Sequence, residues 1–143
     1  MSEPFDRSKT LQELEQDDWG EPNFDSHLVQ TCHQLRRKPL NEFTLEDLRI
    51  MIGQGIGLLR LVPIALEKLE SEPLAEASFY PGDLLRVVVR VNGPFWTRHP
   101  DWYRRIRKVV LRAQGLLSSL DETDSRTVRE ILEEAQGNGL DPH

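Results

Sequence analysis

Apolar residues recur along most of this chain at spacings of three and four positions, which place them on one side of an α-helix. The clearest case is the segment 100–118, where Trp102, Ile106, Val109 and Ala113 form an apolar stripe among arginine and lysine residues. Glycine and proline residues separate the periodic segments and predict turns between them. We therefore expect helices at about residues 8–14, 26–37, 44–52, 58–70, 84–91, 100–118 and 125–136.

Three of these helices carry further signals. Residues 58–70 are apolar around most of the helix circumference, which is typical of a central core helix. Pro63 within this segment either begins a regular helix or bends one. Thr44 followed by Asp47 resembles a capping box and predicts a helix start. Ser8 is in a position to cap the first helix.

The segment 84–91 is the ambiguous one, because three adjacent valines favour a strand by propensity. Pro81, Gly82 and Asp83 before it are a plausible helix entry, and a lone strand would lack a partner among helices. We therefore predict a helix there. The fold class that follows is all-α: a single compact helical domain of about six or seven helices over residues 1–143, with residues 1–7 and 138–143 frayed.

Length and composition suit one soluble domain. The chain has 143 residues, of which 38% are hydrophobic and 29% are charged, and no run reaches the roughly 18 apolar residues of a membrane helix. The segment MSEPFDRSK at the start lacks the apolar stretch of a secretory signal. Cys32 is the only cysteine, so no disulfide can form within the chain. We expect a cytoplasmic location.

Charge is distributed unevenly around a net value of −6. Residues 1–25 hold eight acidic and two basic side chains, residues 98–112 hold six basic and one acidic, and residues 113–143 hold seven acidic and two basic. Two acidic ends thus flank one basic helix, in which Asp101 and Arg105 are spaced as an i,i+4 ion pair. This pattern favours a basic partner over a polyanion.

Three groups of residues are candidates for chemistry, and each is better explained by structure or surface. The segment Gly53-Gln-Gly-Ile-Gly follows a helix and lacks a lysine after it, whereas phosphate-binding loops follow a strand. His27 and His33 lie six positions apart, on different sides of a helix, and Cys32 has no base placed by the sequence. The carboxylates fall in solvated runs. We predict no enzyme activity, no catalytic residues, no metal site and no cofactor.

The basic helix is the main alternative site. Arg104, Arg105, Arg107 and Lys108 could neutralise phosphates while neighbouring aromatic residues stack on bases. Trp102, however, belongs to the apolar stripe, and the acidic chain as a whole repels nucleic acid. A small nucleic-acid-binding or regulatory helical protein using helix 100–118 therefore remains the second functional hypothesis.

The centre of the chain resembles a known family. The segments FTLEDLRIMIGQGIGLLRLVPIALEKL and PLAEASFYPGDLLRVVV, followed by FW and an amphipathic helix, are similar to immunity proteins of bacterial contact-dependent growth inhibition (CDI) systems. The resemblance covers about the central third of the chain and continues weakly to residue 110. Its one noticed departure is Ala77, where glycine is expected. The residues that match the family pattern are predicted to form caps, turns and core. They are residues 44–49, Gly53, Gln54, Gly57, Leu58, Pro63, 65–67, Leu69 and 80–84.

The resemblance implies a cytosolic helical protein that binds and blocks the C-terminal toxin domain of a CDI system, commonly a nuclease. A nuclease presents positive charge, so an acidic inhibitor can be steered onto it and occlude its active site. We place the toxin-binding surface on an acidic loop around Trp19, taken as an aromatic anchor, and on the acids around Pro73. The predicted toxin-binding residues are Asp17, Asp18, Trp19, Glu21, Glu70, Glu72 and Glu76. No membrane contact is expected.

Overall fold

The computed structural model describes residues 5–20 and 26–140, and these residues form an all-α structure without strands. The predicted fold class is confirmed, although the described residues contain eight α-helices rather than six or seven. Short 3₁₀ turns at Leu40–Glu42 and Leu117–Ser119 connect some of them. The helices are α1 (Leu11–Glu15), α2 (His27–Leu35), α3 (Leu45–Gly53), α4 (Leu58–Ser71), α5 (Asp83–Val89), α6 (Gly93–Arg98), α7 (Pro100–Gly115) and α8 (Glu122–Gly137).

Helix α4 is the centre of the core, as its sequence predicts. Leu61, Leu66 and Leu69 are fully buried, and α3, α5 and α7 pack around this helix. Pro63 lies inside α4, which runs through it from Leu58 onward, so this proline does not begin the helix. Helix α8 then closes the structure by packing on α5 and α7.

Side-chain caps set the starts of the helices. The predicted capping box of α3 is present: the Thr44 hydroxyl accepts from the Asp47 N–H, and the Asp47 carboxylate accepts from the Thr44 N–H. The predicted cap at Ser8 is wrong. Ser8 instead donates to Asp6, and Thr10 caps α1 through its own capping box with Glu13.

The ambiguous segment is helical. Residues Asp83–Val89 form α5, with Gly82 as its N-cap at a φ of 91°. This left-handed conformation favours glycine, and it lets the chain turn sharply from a loop into a buried helix. Helix α6 was not predicted, because the Asn92-Gly93-Pro94 sequence suggests a break. In the structure the Asn92 side chain accepts from the Phe95 N–H and thereby starts a new helix.

The glycine-rich turn between α3 and α4 serves packing. Gly57 has a φ of 67°, and a Cβ atom there would lie 2.7 Å from Cδ1 of the buried Leu11. The turn therefore brings α1 directly against the backbone at the start of α4. This close approach explains the third glycine of the segment without a phosphate ligand.

The last described residues pack against the rest of the structure. The Asn138 side chain donates to the main-chain oxygens of Val89 and Val91, at 2.9 and 2.7 Å, and Leu140 is fully buried. At the other end, Arg7 forms an ion pair with Glu67 on α4. These contacts bind the last described residues to the end of α5 and the first described residues to α4.

Candidate functional site

The predicted acidic loop lies against the basic end of α2. The buried Arg36 donates to the Glu15 carboxylate and to the main-chain oxygen of Asp17. The Trp19 ring lies over the Arg36 guanidinium at 4.3 Å and meets the His33 ring edge-on at 5.2 Å. This cation–π contact holds the loop to α2 and leaves 40% of Trp19 exposed.

The carboxylates of this loop also bond within it. Asp17 accepts from the Trp19 indole N–H at 3.3 Å, and Asp18 accepts from the Gly20 N–H at 2.7 Å. Arg37 donates to the Gly20 carbonyl and lies 4.0 Å from Asp18. The Asp18 carboxylate therefore has a cation beside it, which weakens its field at a distance. Glu21, also predicted for this surface, lies outside the described residues.

Glu70, another predicted contact residue, is engaged within the molecule. Both of its carboxylate oxygens accept from Arg105 on α7, at 2.7 and 2.8 Å, and its main-chain oxygen accepts from Arg112. The hydrogen bond from Arg105 holds the pKa of Glu70 below its usual range. The predicted Asp101–Arg105 pair is thus wrong: Arg105 joins α7 to α4, and Asp101 pairs with Arg104.

Glu72 and Glu76 remain exposed at the connection that follows α4. Neither forms an ion pair with another residue of the described ranges. Glu72 lines an open groove of about 290 Å³ between the end of α4 and the start of α3. No hydrogen bond or ion pair links these two acids to Asp17, Asp18 or Trp19. The groove is lined by Leu45, Glu67, Lys68, Ser71, Glu72 and Ala75.

One buried carboxylate organises the loop before α5. Asp83 is 2% exposed and accepts hydrogen bonds from the backbone N–H groups of Ala77, Ser78 and Phe79, at 2.7, 3.0 and 2.9 Å. Burial raises the pKa of Asp83, but these hydrogen bonds outweigh it and lower the pKa overall. Ala77 has no positive φ, so its backbone conformation does not require the glycine that the resemblance suggests.

This loop presents Phe79 to solvent. Phe79 is 66% exposed, more than any other large apolar side chain in the described residues. The Arg49 guanidinium lies 4.7 Å from its ring centroid and is itself held by two hydrogen bonds to Glu46, at 2.6 and 2.7 Å. Our sequence reasoning missed Phe79. An aromatic residue directly before Tyr-Pro-Gly, in a segment without helical periodicity, is the signal that could have found it.

The basic helix offers few unengaged cations for a nucleic acid. Arg104 and Arg105 are in ion pairs, and Arg107 lies 5.3 Å from the Tyr103 ring. Trp102 stacks on His99 at 4.3 Å, inside an aromatic cluster with Phe95. The Trp102 ring therefore already stacks on other rings of the molecule, which disfavours its use as a platform for a base.

The histidine and cysteine candidates are also engaged. Cys32 is buried, and burial raises the pKa of its thiol, which disfavours the reactive thiolate. His27 lies 3.5 Å from the Thr31 hydroxyl, and His33 lies 3.2 Å from the Gly20 carbonyl. Residues 5–20 and 26–140 contain no group of three or more His, Cys, Asp or Glu side chains arranged to hold a metal ion.

Comparison with known proteins decides the family. The family model for CDI immunity proteins matches residues 13–106, about two thirds of the chain. This chain belongs to the CDI immunity protein family. No curated protein and no solved structure matched it. Within the described ranges, no helix has both the length and the apolar character needed to cross a bilayer.

The part of this CDI immunity protein that the family model covers includes most of the candidate surfaces. Residues 13–106 span the acidic loop, the groove beside Glu72 and the loop that presents Phe79. They end before Arg107 and exclude all of α8. Of the basic residues considered for nucleic-acid binding, Arg107 and Lys108 therefore lie outside the segment that matches the family model. The exposed acids Glu72 and Glu76 lie inside it.

Proposed function

We propose that this CDI immunity protein binds the toxin domain of its own CDI system and neutralises it by covering the toxin active site, in the cytoplasm of the cell that makes it. Membership in the family carries the first part of the proposal. The acidic exposed surface supports the second part, because an enzyme that holds RNA or DNA presents positive charge around its active site. On this basis we propose a nuclease as the toxin.

We propose that the residues predicted from the sequence form the contact surface, and we rank them by how far nearby cations compensate their charge. Glu72 and Glu76 are exposed without ion pairs in the described chain, so their charge is the most available for steering a basic partner. Glu70 forms an ion pair with Arg105, and Asp18 of the acidic loop lies beside Arg37. The full proposed set is Asp17, Asp18, Trp19, Glu21, Glu70, Glu72 and Glu76.

Co-expression tests this function directly. The toxin domain encoded immediately upstream of this protein is produced alone and together with it in the same host. We expect growth arrest with the toxin domain alone, restored growth with both proteins, and co-purification of the two. A toxin domain from another CDI system is the control and should not be neutralised. Continued growth arrest in the presence of both cognate proteins, without co-purification, contradicts the proposal.

Charge reversal tests the steering. Replacing Glu72 and Glu76 by lysine should slow association with the toxin domain by about tenfold at low salt, because two attractive charges become repulsive. The difference should shrink as salt screens the charges. Stopped-flow measurements at several salt concentrations give the rates. These residues are preferable to Asp17 and Asp18, whose carboxylates also bond within their own loop.

A double variant on α8 controls for net charge. Replacing Glu122 and Glu133 by lysine changes the total charge by the same amount on another exposed part of the molecule. We expect a much smaller change in association rate from this variant. Equal slowing by the two double variants would remove Glu72 and Glu76 from the binding surface.

A further inference from the structure

Phe79 and the groove beside Glu72 are neighbours along α3. Leu45 lines the groove, and Arg49 lies under the Phe79 ring. Residues four positions apart on a helix lie on the same side of it, so Leu45 and Arg49 place the groove and the exposed ring next to each other. We define this combined region, from Phe79 across α3 to Glu72, as the α3 face.

The Phe79 loop is fixed before any partner arrives. Three backbone N–H groups of residues 77–79 are bonded to the buried Asp83 carboxylate. Arg49 supports one side of the ring and is locked in place by Glu46. A side chain held in this way loses little conformational freedom on binding, which is the property of an effective binding anchor.

Trp19, the anchor that the sequence suggested, is less available. One face of its indole covers Arg36, and its ring also contacts His33. These contacts bind the acidic loop to α2, so they give Trp19 an internal role. Phe79 is more exposed, at 66% against 40% for Trp19. Aromatic residues, Phe among them, are enriched at protein interfaces relative to the rest of the surface.

The charges around the α3 face indicate the chemistry of its partner. Glu67, Lys68 and Glu72 are exposed and line the groove. Glu76 is exposed in the short segment of chain between the groove residue Ala75 and Phe79. Glu67 forms an ion pair with Arg7, whereas Glu72 and Glu76 form no ion pair with another described residue. An apolar ring beside such acids is complementary to an apolar cleft with a basic rim.

Resting on the proposed function, we infer that Phe79 is the aromatic anchor of the toxin-binding surface and inserts into an apolar cleft of the toxin domain, with basic residues of the toxin facing Glu72 and Glu76. The α3 face is then the centre of the interface, and the acidic loop around Trp19 is peripheral to it.

The test replaces Phe79 by alanine and measures the Kd for the cognate toxin domain, in a catalytically inactive form, by isothermal titration calorimetry. We expect binding to weaken by about 30-fold or more, as for the dominant residues of protein interfaces. Leu111, an apolar residue on α7 that is 53% exposed, provides the matched control. Leu111→Ala should change the Kd by less than about threefold, and both variants should melt within a few degrees of wild type.

A conservative variant separates a binding role from support of Arg49. Phe79→Tyr keeps an aromatic ring over Arg49 but brings a hydroxyl into the apolar cleft, so it should bind more weakly than wild type and better than Phe79→Ala. If wild type binds the toxin domain and Phe79→Ala binds equally well, the inference fails while the proposed function stands. If wild type itself does not bind, the proposed function fails, and the inference fails with it.

Discussion

Asp83→Asn is expected to lower the free energy of unfolding by about 3 kcal/mol at pH 7, since hydrogen bonds to charged groups contribute roughly 1.5–3 kcal/mol each. The buried Asp83 carboxylate accepts three backbone N–H groups. Asparagine has the same shape but only one acceptor oxygen, and its NH₂ group would face an N–H donor. The loop that presents Phe79 should therefore loosen while the helices still form.

Urea denaturation followed by circular dichroism measures this loss. Asp101→Asn is the control, because Asp101 is exposed and its ion pair with Arg104 joins neighbouring turns of one helix. Such surface pairs contribute less than about 1 kcal/mol. Equal stability of the Asp83→Asn protein and the wild type would show that the carboxylate charge is not needed to hold the loop.

The pH dependence of this difference has a definite sign. The pKa of Asp83 is lowered in the folded protein, whereas an aspartate in an unfolded chain has a pKa of about 3.9. As pH falls below about 4, the unfolded chain takes up this proton first and the native state loses relative stability. The difference in the free energy of unfolding between wild type and Asp83→Asn should therefore be largest above about pH 5 and should decrease towards pH 2. A constant gap would contradict this account.

Local signals in the sequence predicted most of the scaffold. The Thr44 capping box and the apolar circumference of α4 depend on residues close together in the chain, so periodicity and spacing suffice to find them. The helix at Asp83–Val89 was predicted against its valine propensity, because its entry turn and its surroundings outweighed that preference. Helix α6 was missed because glycine and proline suggest a break, whereas Asn92 supplies a cap there.

Contacts between segments far apart in the chain could not be predicted from the sequence. The i,i+4 rule paired Arg105 with Asp101, but α4 places Glu70 closer to it. The same limit applied to the candidate surface: Trp19 was seen as an exposed anchor because nothing in the sequence places it over Arg36. Phe79 was overlooked because its exposure depends on Asp83 fixing the loop backbone. Burial and pairing decide which acidic and aromatic residues remain available, and both arise only from the packed helices.

Arg36→Met is expected to lower the free energy of unfolding by about 2–3 kcal/mol. This loss lies below the roughly 3–5 kcal/mol for breaking a fully buried ion pair, because the partner Glu15 is 31% exposed. Arg36 is 2% exposed and bonds to Glu15 and to the Asp17 carbonyl beneath the Trp19 ring. Its Nε atom is buried without a partner in the described ranges. Burying an unpaired N–H group destabilises the folded state. Methionine has no such group, so this part of the substitution is favourable and reduces the expected loss of stability.

The variant should also loosen the acidic loop around Trp19, because Arg36 bonds to Glu15 and to the Asp17 carbonyl and lies under the Trp19 ring. The contacts of Arg37 and His33 with the Gly20 carbonyl remain. The indole N–H signals in a ¹⁵N–¹H NMR spectrum report this directly: the Trp19 signal should shift and sharpen, while those of Trp96 and Trp102 stay in place. Arg129→Met, at an exposed position on α8, is the control and should change stability by less than about 0.5 kcal/mol. If the α3 face is the centre of the interface, Arg36→Met should weaken toxin binding less than Phe79→Ala does, even though it destabilises the fold more. The reverse order would place the centre of the interface at the acidic loop.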